Sequence, residues 1–260
     1  MRTISTTECM GYSIFSDDLM NLPERNKLMV NTINQYSYCV AKNDAEFKDS
    51  LKNSDILLPD GIGIVLASKF LKGIKIEKIA GSDLHAFLLK KMNAQKGSVF
   101  YMGSSVRTLK KIKKRLKMDF PRINVETYSP PFKSKFSDAD NEKIINVVNA
   151  FKPDILFVGL TAPKQEKWAC SQKTHLNAKM ICSIGAVFDF YAGTVKRPSP
   201  FWVNSGLEWL GRLLNEPKRM WKRYIYYGVV FGYYLIQEKF KTQIFRAKTN
   251  SNTTSTSSIT

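Results

Sequence analysis

A polar cluster that follows an apolar run is the most informative feature of this chain. Residues Ile155–Val158 are apolar, and after the turn at Gly159 the chain continues with Pro163, Lys164 and Gln165. Proline suits the first turn of a helix, where a missing N–H costs nothing. Open α/β sheets bind ligands at such strand-to-helix junctions, where helix-start amides favour anions. Lys164 and Gln165 are therefore predicted to contact a phosphate or a sugar, although an ordinary solvated helix start has the same composition.

A second candidate site follows the apolar run Ile56–Leu58. Asp60 comes shortly after it, between Pro59 and two glycines, Gly61 and Gly63. Glycines let the backbone approach a ligand closely, and a carboxylate at the end of a strand could remove a proton from an attacking sugar hydroxyl. We expect Asp60 to act as a general base and the two glycines to bind substrate. A tight turn in which Asp60 caps the next helix explains the same residues.

Two further polar turns follow predicted strands. Thr32 and Asn34 end a run that begins at Leu28, and their side chains could bind substrate hydroxyls or cap the next helix equally well. Gly103, after the run Ser98–Met102, begins a small turn that could bind phosphate. The chain lacks the GxGxxG pattern of nicotinamide-binding sites and the acid about 20 residues later, so a dehydrogenase is not supported.

Metal ligands are not indicated by the sequence. The four cysteines show no CxxC spacing and the two histidines are far apart, so a zinc site is not expected. Asp138 and Asp140 match the DxD pattern that holds a metal in many sugar transferases, but acids in a first helical turn also complement the helix dipole. We expect no metal, no cofactor and reduced, mostly buried thiols.

Strand and helix patterns alternate through most of the chain. Short apolar runs are separated by segments with apolar residues at helical spacing, such as Val106–Lys117 and Ser137–Phe151. Helical crossovers of this kind connect parallel strands. Residues 1–194 are therefore expected to form an α/β core, with a Rossmann-like, mostly parallel sheet covered by helices.

The C-terminal part has a different composition. Between Val195 and Lys248 there are eleven Lys or Arg residues and three acids, and basic and aromatic residues interleave over 218–225. This pattern is typical of a helix that lies on an anionic membrane surface, and the longest apolar run, Tyr224–Ile236, is too short to span a bilayer. We predict a basic amphipathic helical membrane-docking appendage over 195–248 and a disordered, Ser/Thr/Asn-rich tail over 249–260.

The net charge implies a polyanionic neighbour. The chain carries a formal charge of +18, which suits nucleic acid, anionic lipid or a phosphorylated substrate. A nucleic-acid-binding protein is the more distant alternative, because it should present aromatic residues on a sheet face or a recognition helix. Here the charge gathers on amphipathic helices. The first ten residues contain no apolar run typical of a secretory signal.

Six motifs in a fixed order resemble the WecG/TagA/CpsF family, glycosyltransferase family 26, over about residues 28–226. They are TIN (32–34), LLPDGIG (57–63), GSDL (81–84), VGLTAPKQEKW (158–168), GAVFDFYAGTVKRPSPF (185–201) and GLEWLGRLLNEPKRMWKRY (206–224). The resemblance implies a bacterial enzyme that moves a sugar, typically N-acetylmannosamine, from a UDP donor to an undecaprenyl-diphosphate-linked acceptor. It also implies inversion at the anomeric carbon, no metal requirement, and a C-terminal appendage that docks at the membrane and completes the active site.

The resemblance also implies roles for single residues. Asp60 matches the family's proposed catalytic base and Thr32 its proposed substrate-contacting threonine, while Gln165 falls near the reacting sugar. Asp189 lies where nucleoside contacts are expected. Three appendage arginines match those thought to face the diphosphate: Arg212, Arg219 and Arg223.

The expected partners follow from the same resemblance. They are a UDP-sugar, a lipid-linked sugar acceptor and an anionic membrane surface, with no nucleic acid; a homo-oligomer is left open. Related family members transfer glucose or glucuronic acid, so these donors are alternatives. The expected location is cytoplasmic, with peripheral attachment to the inner face of the plasma membrane.

Overall fold

A six-stranded parallel sheet forms the centre of the computed structural model, which describes residues 4–24, 27–195, 202 and 208–255. The strands lie in the order β4 (Ile56–Pro59), β3 (Leu28–Ile33), β8 (Met180–Ser183), β7 (Ile155–Gly159), β5 (Ser98–Gly103) and β6 (Asn124–Tyr128). All five neighbouring pairs are parallel. An antiparallel hairpin, β1 (Thr6–Cys9) and β2 (Tyr12–Phe15), precedes the sheet. The predicted α/β class with a mostly parallel sheet is confirmed.

Helices connect the strands and cover both faces of the sheet. In chain order they are α1 (Gln35–Ala41), α2 (Ala45–Lys52), α3 (Ile62–Lys72), α4 (Gly81–Gln95), α5 (Val106–Asp119), α6 (Asp138–Phe151), α7 (Lys164–Gln172) and α8 (Val187–Tyr191). Side-chain caps fix several of their starts: Asp44, Ser105 and Ser137 accept hydrogen bonds from first-turn N–H groups of α2, α5 and α6.

Alternate residues of each strand enter two cores, one on each face of the sheet. Val99 and Tyr101 of β5 pack with α4 and α5, whereas Phe100 and Met102 pack with α6 and α7. Successive strand side chains point to opposite faces, and both faces are covered, so the strands are apolar at nearly every position. His85 lies buried beside Tyr101, 2.7 Å from its hydroxyl oxygen, and burial lowers its pKa to about 3. This histidine is a neutral core residue.

The C-terminal segment forms separate helices, although the sequence pattern predicts one helix over 207–241. α9 (Glu208–Asn215) ends just before Pro217, where α10 (Pro217–Trp221) begins, and a π-helical turn follows over Lys222–Tyr226. Proline lacks the N–H that would continue α9, and its fixed φ suits the first turn of α10.

The last helix, α11, runs from Tyr227 to Ser255. Its backbone therefore extends into the segment 249–260, which the sequence predicts to be disordered. No glycine or proline follows Gly232, so no residue there interrupts the helical hydrogen bonding. Residues 256–260 lie outside the described part of the chain.

Aromatic rings join α11 to the core. The ring of Phe231 meets that of Tyr38 in α1 edge-on, with centroids 5.4 Å apart, and Tyr227 meets Tyr36 in the same way at 5.0 Å. One side of α11 thus packs in the hydrophobic core, whereas the Val229 residue on another side has 72% of its surface exposed. Among the helices that the structure describes, none has both the length and the apolar character needed to cross a bilayer.

Candidate active site

A cavity of about 1240 Å³ opens at the carboxyl edge of the parallel sheet. Its wall contains the residues that follow β3, β4, β5, β7 and β8, together with side chains of the C-terminal helices. Carboxyl ends of parallel strands meet at one edge, so segments far apart in sequence come together there. Eight of the residues predicted to form the site line this cavity: Thr32, Asn34, Asp60, Lys164, Gln165, Asp189, Arg212 and Arg223.

Asp60 lies directly after β4, half-buried in the cavity wall. Its backbone N–H donates a hydrogen bond of 2.9 Å to the carbonyl of Ile33, which fixes it beside the end of β3. Burial raises the pKa of Asp60, and the nearby carboxylate of Glu208 raises it further. Three cations act in the opposite direction on this pKa: Arg212, Arg223 and Lys78. A carboxylate with a raised pKa in a cavity can accept a proton.

The three predicted substrate-binding glycines do not line the cavity. Gly61 precedes α3 with φ +110°, a conformation that residues with side chains rarely adopt. A Cβ on Gly63 would lie 3.0 Å from the Gln35 side-chain oxygen, and a Cβ on Gly103 would collide with the carbonyl of Gly159. The close approach at Gly63 and Gly103 is to the protein itself. The structure thus shows a role of these glycines in backbone conformation and packing, and their contact with substrate stays a prediction.

Asn34 caps a helix, one of the two roles that the sequence left open, and its contact with substrate stays a prediction. Its Oδ1 accepts a hydrogen bond from the Ser37 N–H at 3.0 Å, and the Ser37 hydroxyl accepts one from the Asn34 N–H at 2.8 Å. This reciprocal cap begins α1, while Asn34 also lines the cavity. In the pairing of β3 with β4, Thr32 lies opposite Leu58. Leu58 precedes Asp60 by two residues, so Thr32 and Asp60 lie at the same edge of the sheet.

The start of α7 places two polar side chains in the cavity wall with almost no exposure to solvent. Gln165 is 5% exposed and Glu166 is 2% exposed, and the Gln165 Nε2 donates to the Glu166 Oε1 at 2.9 Å. Burial raises the pKa of Glu166 to about 7, against the hydrogen bond from Gln165 and the charge of Arg223. Within the described part of the chain, the Gln165 Oε1 and the Glu166 Oε2 have no hydrogen-bond partner.

Lys164 lines the same cavity, but its ammonium group is engaged by the loop before α6. The Nζ donates to the Lys133 carbonyl and lies 3.5 Å from the ring centroid of Phe136. Partial burial lowers its pKa. A phosphate contact from Lys164 would use a remaining N–H of this ammonium group or follow its release from the loop.

Two arginines of the C-terminal helices lie over aromatic rings at the cavity. The guanidinium of Arg212 is 5.1 Å from the ring centroid of Phe190, and that of Arg223 is 4.6 Å from the ring centroid of Tyr36. Stacking on a ring orients the guanidinium plane while its N–H groups stay available to an anion. The side chain of Arg219, the third predicted arginine, lies outside the described part of the structure.

The other acids that the sequence singled out make contacts within the protein. Asp189 of α8 accepts a hydrogen bond of 3.2 Å from the Thr194 hydroxyl. Asp140 binds the Lys133 ammonium at 2.8 Å and accepts from the Ser137 N–H at 2.9 Å, and these contacts lower its pKa to about 2. The DxD motif is thus part of a helix cap. Across the described ranges, no three His, Cys, Asp or Glu side chains group in a way that could hold a metal ion.

Sequence reasoning missed two acids of the site, Glu166 and Glu208. The Glu208 carboxylate forms an ion pair of 3.3 Å with Lys78, which joins α9 to the loop before α4 at the cavity. Nothing local in the sequence indicates this contact. A signal for Glu166 existed, because it precedes the apolar Ala169 by three residues and so shares a helix face with it. That spacing predicts burial of the acid.

The parallel sheet and the cavity at its carboxyl edge, whose wall contains acids and two arginines, are typical of an α/β enzyme. The chain belongs to the WecG/TagA/CpsF glycosyl transferase family, whose sequence model matches residues 8–244. The predicted family, and with it the prediction of a glycosyltransferase, is confirmed.

Similar proteins come from several bacteria. The chain is 33% identical over 183 residues, 70% of its length and 69% of the relative, to a Bacillus spizizenii protein named N-acetylglucosaminyldiphosphoundecaprenol N-acetyl-beta-D-mannosaminyltransferase. It is 31% identical over 196 residues to the Bacillus subtilis protein of that name, covering 75% of this chain and 74% of the relative. A Staphylococcus aureus protein with the same name is 26% identical over 195 residues, 75% of each chain.

Proposed function

We propose that this glycosyltransferase moves N-acetylmannosamine from a UDP donor to an undecaprenyl-diphosphate-linked N-acetylglucosamine acceptor, with inversion and without a metal ion. The names of the relatives support this sugar and this acceptor. The structural observation that carries the proposal is a cavity lined by a half-buried carboxylate, Asp60, and by two arginines whose charges lower the pKa of that carboxylate. UDP-glucose and UDP-glucuronic acid are the alternative donors.

Asp60 is the proposed general base. An acceptor hydroxyl gives its proton to this carboxylate while its oxygen attacks C1 of the donor sugar. The bond from C1 to the UDP oxygen breaks on the opposite face, and UDP leaves with that electron pair, so the new glycosidic bond has inverted configuration. The raised pKa of Asp60 makes it a stronger base than an exposed aspartate.

Arg212 and Arg223 are the proposed electrophilic groups. The departing diphosphate gains negative charge, and guanidinium groups stay charged and bind phosphate oxygens in two-point geometry. Groups that are held in place before charge develops stabilise the transition state most effectively. The rings beneath these two arginines supply that fixed position.

The remaining cavity residues are proposed to hold the substrates. Thr32, Asn34 and Gln165 lie near the strand ends with Asp60 and would contact sugar hydroxyls. Asp189 would contact the nucleoside. Lys164 would bind phosphate after release from the loop before α6.

The C-terminal helices carry an exposed apolar stripe, formed by Trp221, Ile225, Val229, Tyr233, Ile236 and Phe240. Residues three or four positions apart share one side of a helix, and the exposed cations Lys218, Lys222 and Lys241 lie in the same helices. An apolar face with nearby cations suits the interface of an anionic membrane. We infer that the stripe attaches the enzyme peripherally to the cytoplasmic face of the plasma membrane, where a lipid-linked acceptor would lie.

The test is acceptor-dependent release of UDP from a panel of UDP-sugars, with a polyprenyl-diphosphate-linked N-acetylglucosamine as acceptor. We expect the fastest release from UDP-N-acetylmannosamine, no loss with a chelator, and an inverted linkage by NMR of the product. No release from any UDP-sugar would contradict the proposed activity. Activity that a chelator abolishes and a divalent cation restores would contradict metal independence alone.

A further inference from the structure

Two buried polar atoms of the cavity wall have no hydrogen-bond partner among the residues that the structure describes. They are the Oε1 of Gln165 and the Oε2 of Glu166. Their side chains are 5% and 2% exposed, so bulk solvent contacts little of either side chain. Buried polar groups are almost always paired, and an exception at a cavity points to a ligand.

The glycine at position 185 leaves space beside one of these atoms. A Cβ built on Gly185 would lie 3.0 Å from the Gln165 Oε1 and 3.4 Å from its Nε2. Gly185 itself lines the cavity. Because Gly185 has no side chain, no side chain at this position separates the Gln165 amide from the cavity.

The pair has a defined hydrogen-bonding capacity when Glu166 is protonated. Gln165 donates to the Glu166 Oε1, which leaves the amide oxygen as an acceptor and the carboxyl O–H as a donor. If the amide were turned over, the carboxyl group would donate to it, and the amide N–H and the carboxyl C=O would be free instead. In both arrangements the pair offers at least one donor and one acceptor.

We propose that Gln165 and Glu166 together bind a substrate sugar through a group that both donates and accepts hydrogen bonds, a hydroxyl or an acetamido group, with Glu166 as a neutral carboxylic acid. The inference rests on the proposed function and adds to it a recognition residue, Glu166, and its protonation state. Such a group can come from the donor sugar or from the acceptor sugar.

The protonation state follows from the surroundings of Glu166. Burial favours the neutral form and raises the pKa to about 7, while the Gln165 amide and the Arg223 guanidinium favour the ionised form. The other charged residues that line the cavity are Asp60, Lys133, Lys164, Asp189, Glu208, Arg212 and Lys222. As pH rises through 7, Glu166 loses its donor and gains a negative charge beside an anionic substrate, so binding of that sugar should weaken.

The experiment measures by calorimetry the affinities of UDP, UDP-N-acetylmannosamine and a short-chain polyprenyl-diphosphate-linked N-acetylglucosamine. It compares wild type, Glu166→Ala and Glu166→Gln at pH 6 and pH 8.5. The matched control is Glu142→Ala, which removes an exposed carboxylate of α6. Melting temperatures identify any variant that does not fold, and Glu166→Gln retains both the shape and an N–H donor.

At pH 6 we expect Glu166→Ala to weaken one of the two sugar ligands by about 10- to 100-fold, the loss typical of a buried hydrogen-bonding partner, with UDP affinity unchanged. The ligand that weakens identifies the source of the bound sugar. Wild type should bind that ligand more weakly at pH 8.5 than at pH 6, and Glu166→Gln should lack this extra loss.

The inference is overturned if neither sugar ligand weakens, if UDP weakens equally, or if wild type and Glu166→Gln share one pH dependence. These are binding measurements, so they are separate from the test of the proposed function. An enzyme that binds the sugar ligands as described but transfers nothing would contradict the transfer reaction and leave this recognition site standing.

Discussion

At the scale of single residues, Arg212 offers a test of how the leaving diphosphate is stabilised. The guanidinium lies over the Phe190 ring at the cavity, and its charge lowers the pKa of Asp60. We expect Arg212→Ala to lower kcat by about 100-fold or more, the cost typical of losing a fixed group that meets developing charge. Steady-state kinetics measure the effect. Arg107→Ala, which removes an exposed arginine of α5, is the control and should stay within about twofold of wild type; equal losses in both variants would exclude a specific role for Arg212.

The buried acid Glu166 predicts a pH dependence of stability. Its pKa is about 7 in the folded protein and ordinarily 4.5, so between these values the unfolded chain loses the proton first. Folding stability should therefore fall as pH rises from 4.5 to 7, by roughly 3 kcal/mol from this group. Urea unfolding at pH 5 and pH 7.5 measures it.

The glutamine in Glu166→Gln cannot ionise. Over the same pH range, the free energy of unfolding of this variant should therefore fall by roughly 3 kcal/mol less than that of wild type. Glu142→Gln, an exposed substitution on α6, should follow wild type. Identical pH dependences in Glu166→Gln and wild type would show that this acid ionises as freely in the folded protein as in the unfolded chain.

Sequence position predicted eight of the residues that line the cavity, but not the state of their side chains. Asp60, Thr32 and Gln165 follow apolar runs, and parallel strands bring such positions to one edge. Whether a polar residue there faces a ligand or the protein depends on contacts made across the fold. Gly103 faces Gly159, and the ammonium of Lys164 binds a loop carbonyl, and neither contact has a local sequence signal.

At the scale of secondary-structure elements, the junction of β5 and β7 depends on a glycine. A side chain on Gly103 would collide with the carbonyl of Gly159, and φ at Gly103 is +120°. We expect Gly103→Ala to destabilise the protein by about 3 kcal/mol or more, through both backbone strain and displacement of the paired strands. Chemical denaturation measures the change.

Gly73→Ala separates the two causes. Gly73 ends α3 with φ +72° but has open space around the position of a Cβ, so its substitution should cost only the strain, about 1 kcal/mol. Equal costs at positions 73 and 103 would contradict the proposed collision between the two strands.

The positions of the strands and helices along the chain were largely predictable from the sequence, whereas the order of the strands in the sheet was not. Apolar runs and helical spacing located most of the strands and helices because burial on both faces fixes these patterns locally. The order β4-β3-β8-β7-β5-β6 depends on pairings between distant segments. The β1–β2 hairpin was missed, and the break of the C-terminal helix at Pro217 could have been predicted from that proline alone.

At the scale of the whole molecule, the apolar stripe of the C-terminal helices predicts membrane binding. We expect the double variant Val229→Glu and Ile236→Glu to lose at least about tenfold in affinity for anionic vesicles, because two charges would enter the interface. Both side chains are more than half exposed, so the fold should persist. Vesicle co-sedimentation measures binding, and calorimetry checks that UDP affinity is unchanged.

Met20→Glu is the matched control, because Met20 is 77% exposed and lies near β2, outside the stripe. It should bind vesicles like wild type. Undiminished vesicle binding by the double variant would show that another surface meets the membrane.

The C-terminal helices are also part of the folded core. Phe231 is 5% exposed in a cluster with residues of α1, α2 and α3, and the Lys78–Glu208 ion pair joins α9 to the loop before α4. Contacts therefore cross residue 194, the boundary that composition predicts between the core and the appendage. Deletion of the appendage would remove cavity residues and core residues together, so point substitutions give the sharper tests.

The most direct test of the central claim is the turnover of Asp60→Asn, measured together with its affinity for UDP. The amide keeps the shape of the side chain but cannot accept a proton as the carboxylate does, so we expect kcat to fall by at least about 100-fold with UDP affinity within about twofold. Asp138→Asn, an exposed substitution at the start of α6, should behave like wild type. Near-normal turnover by Asp60→Asn would contradict the assignment of Asp60 as the general base.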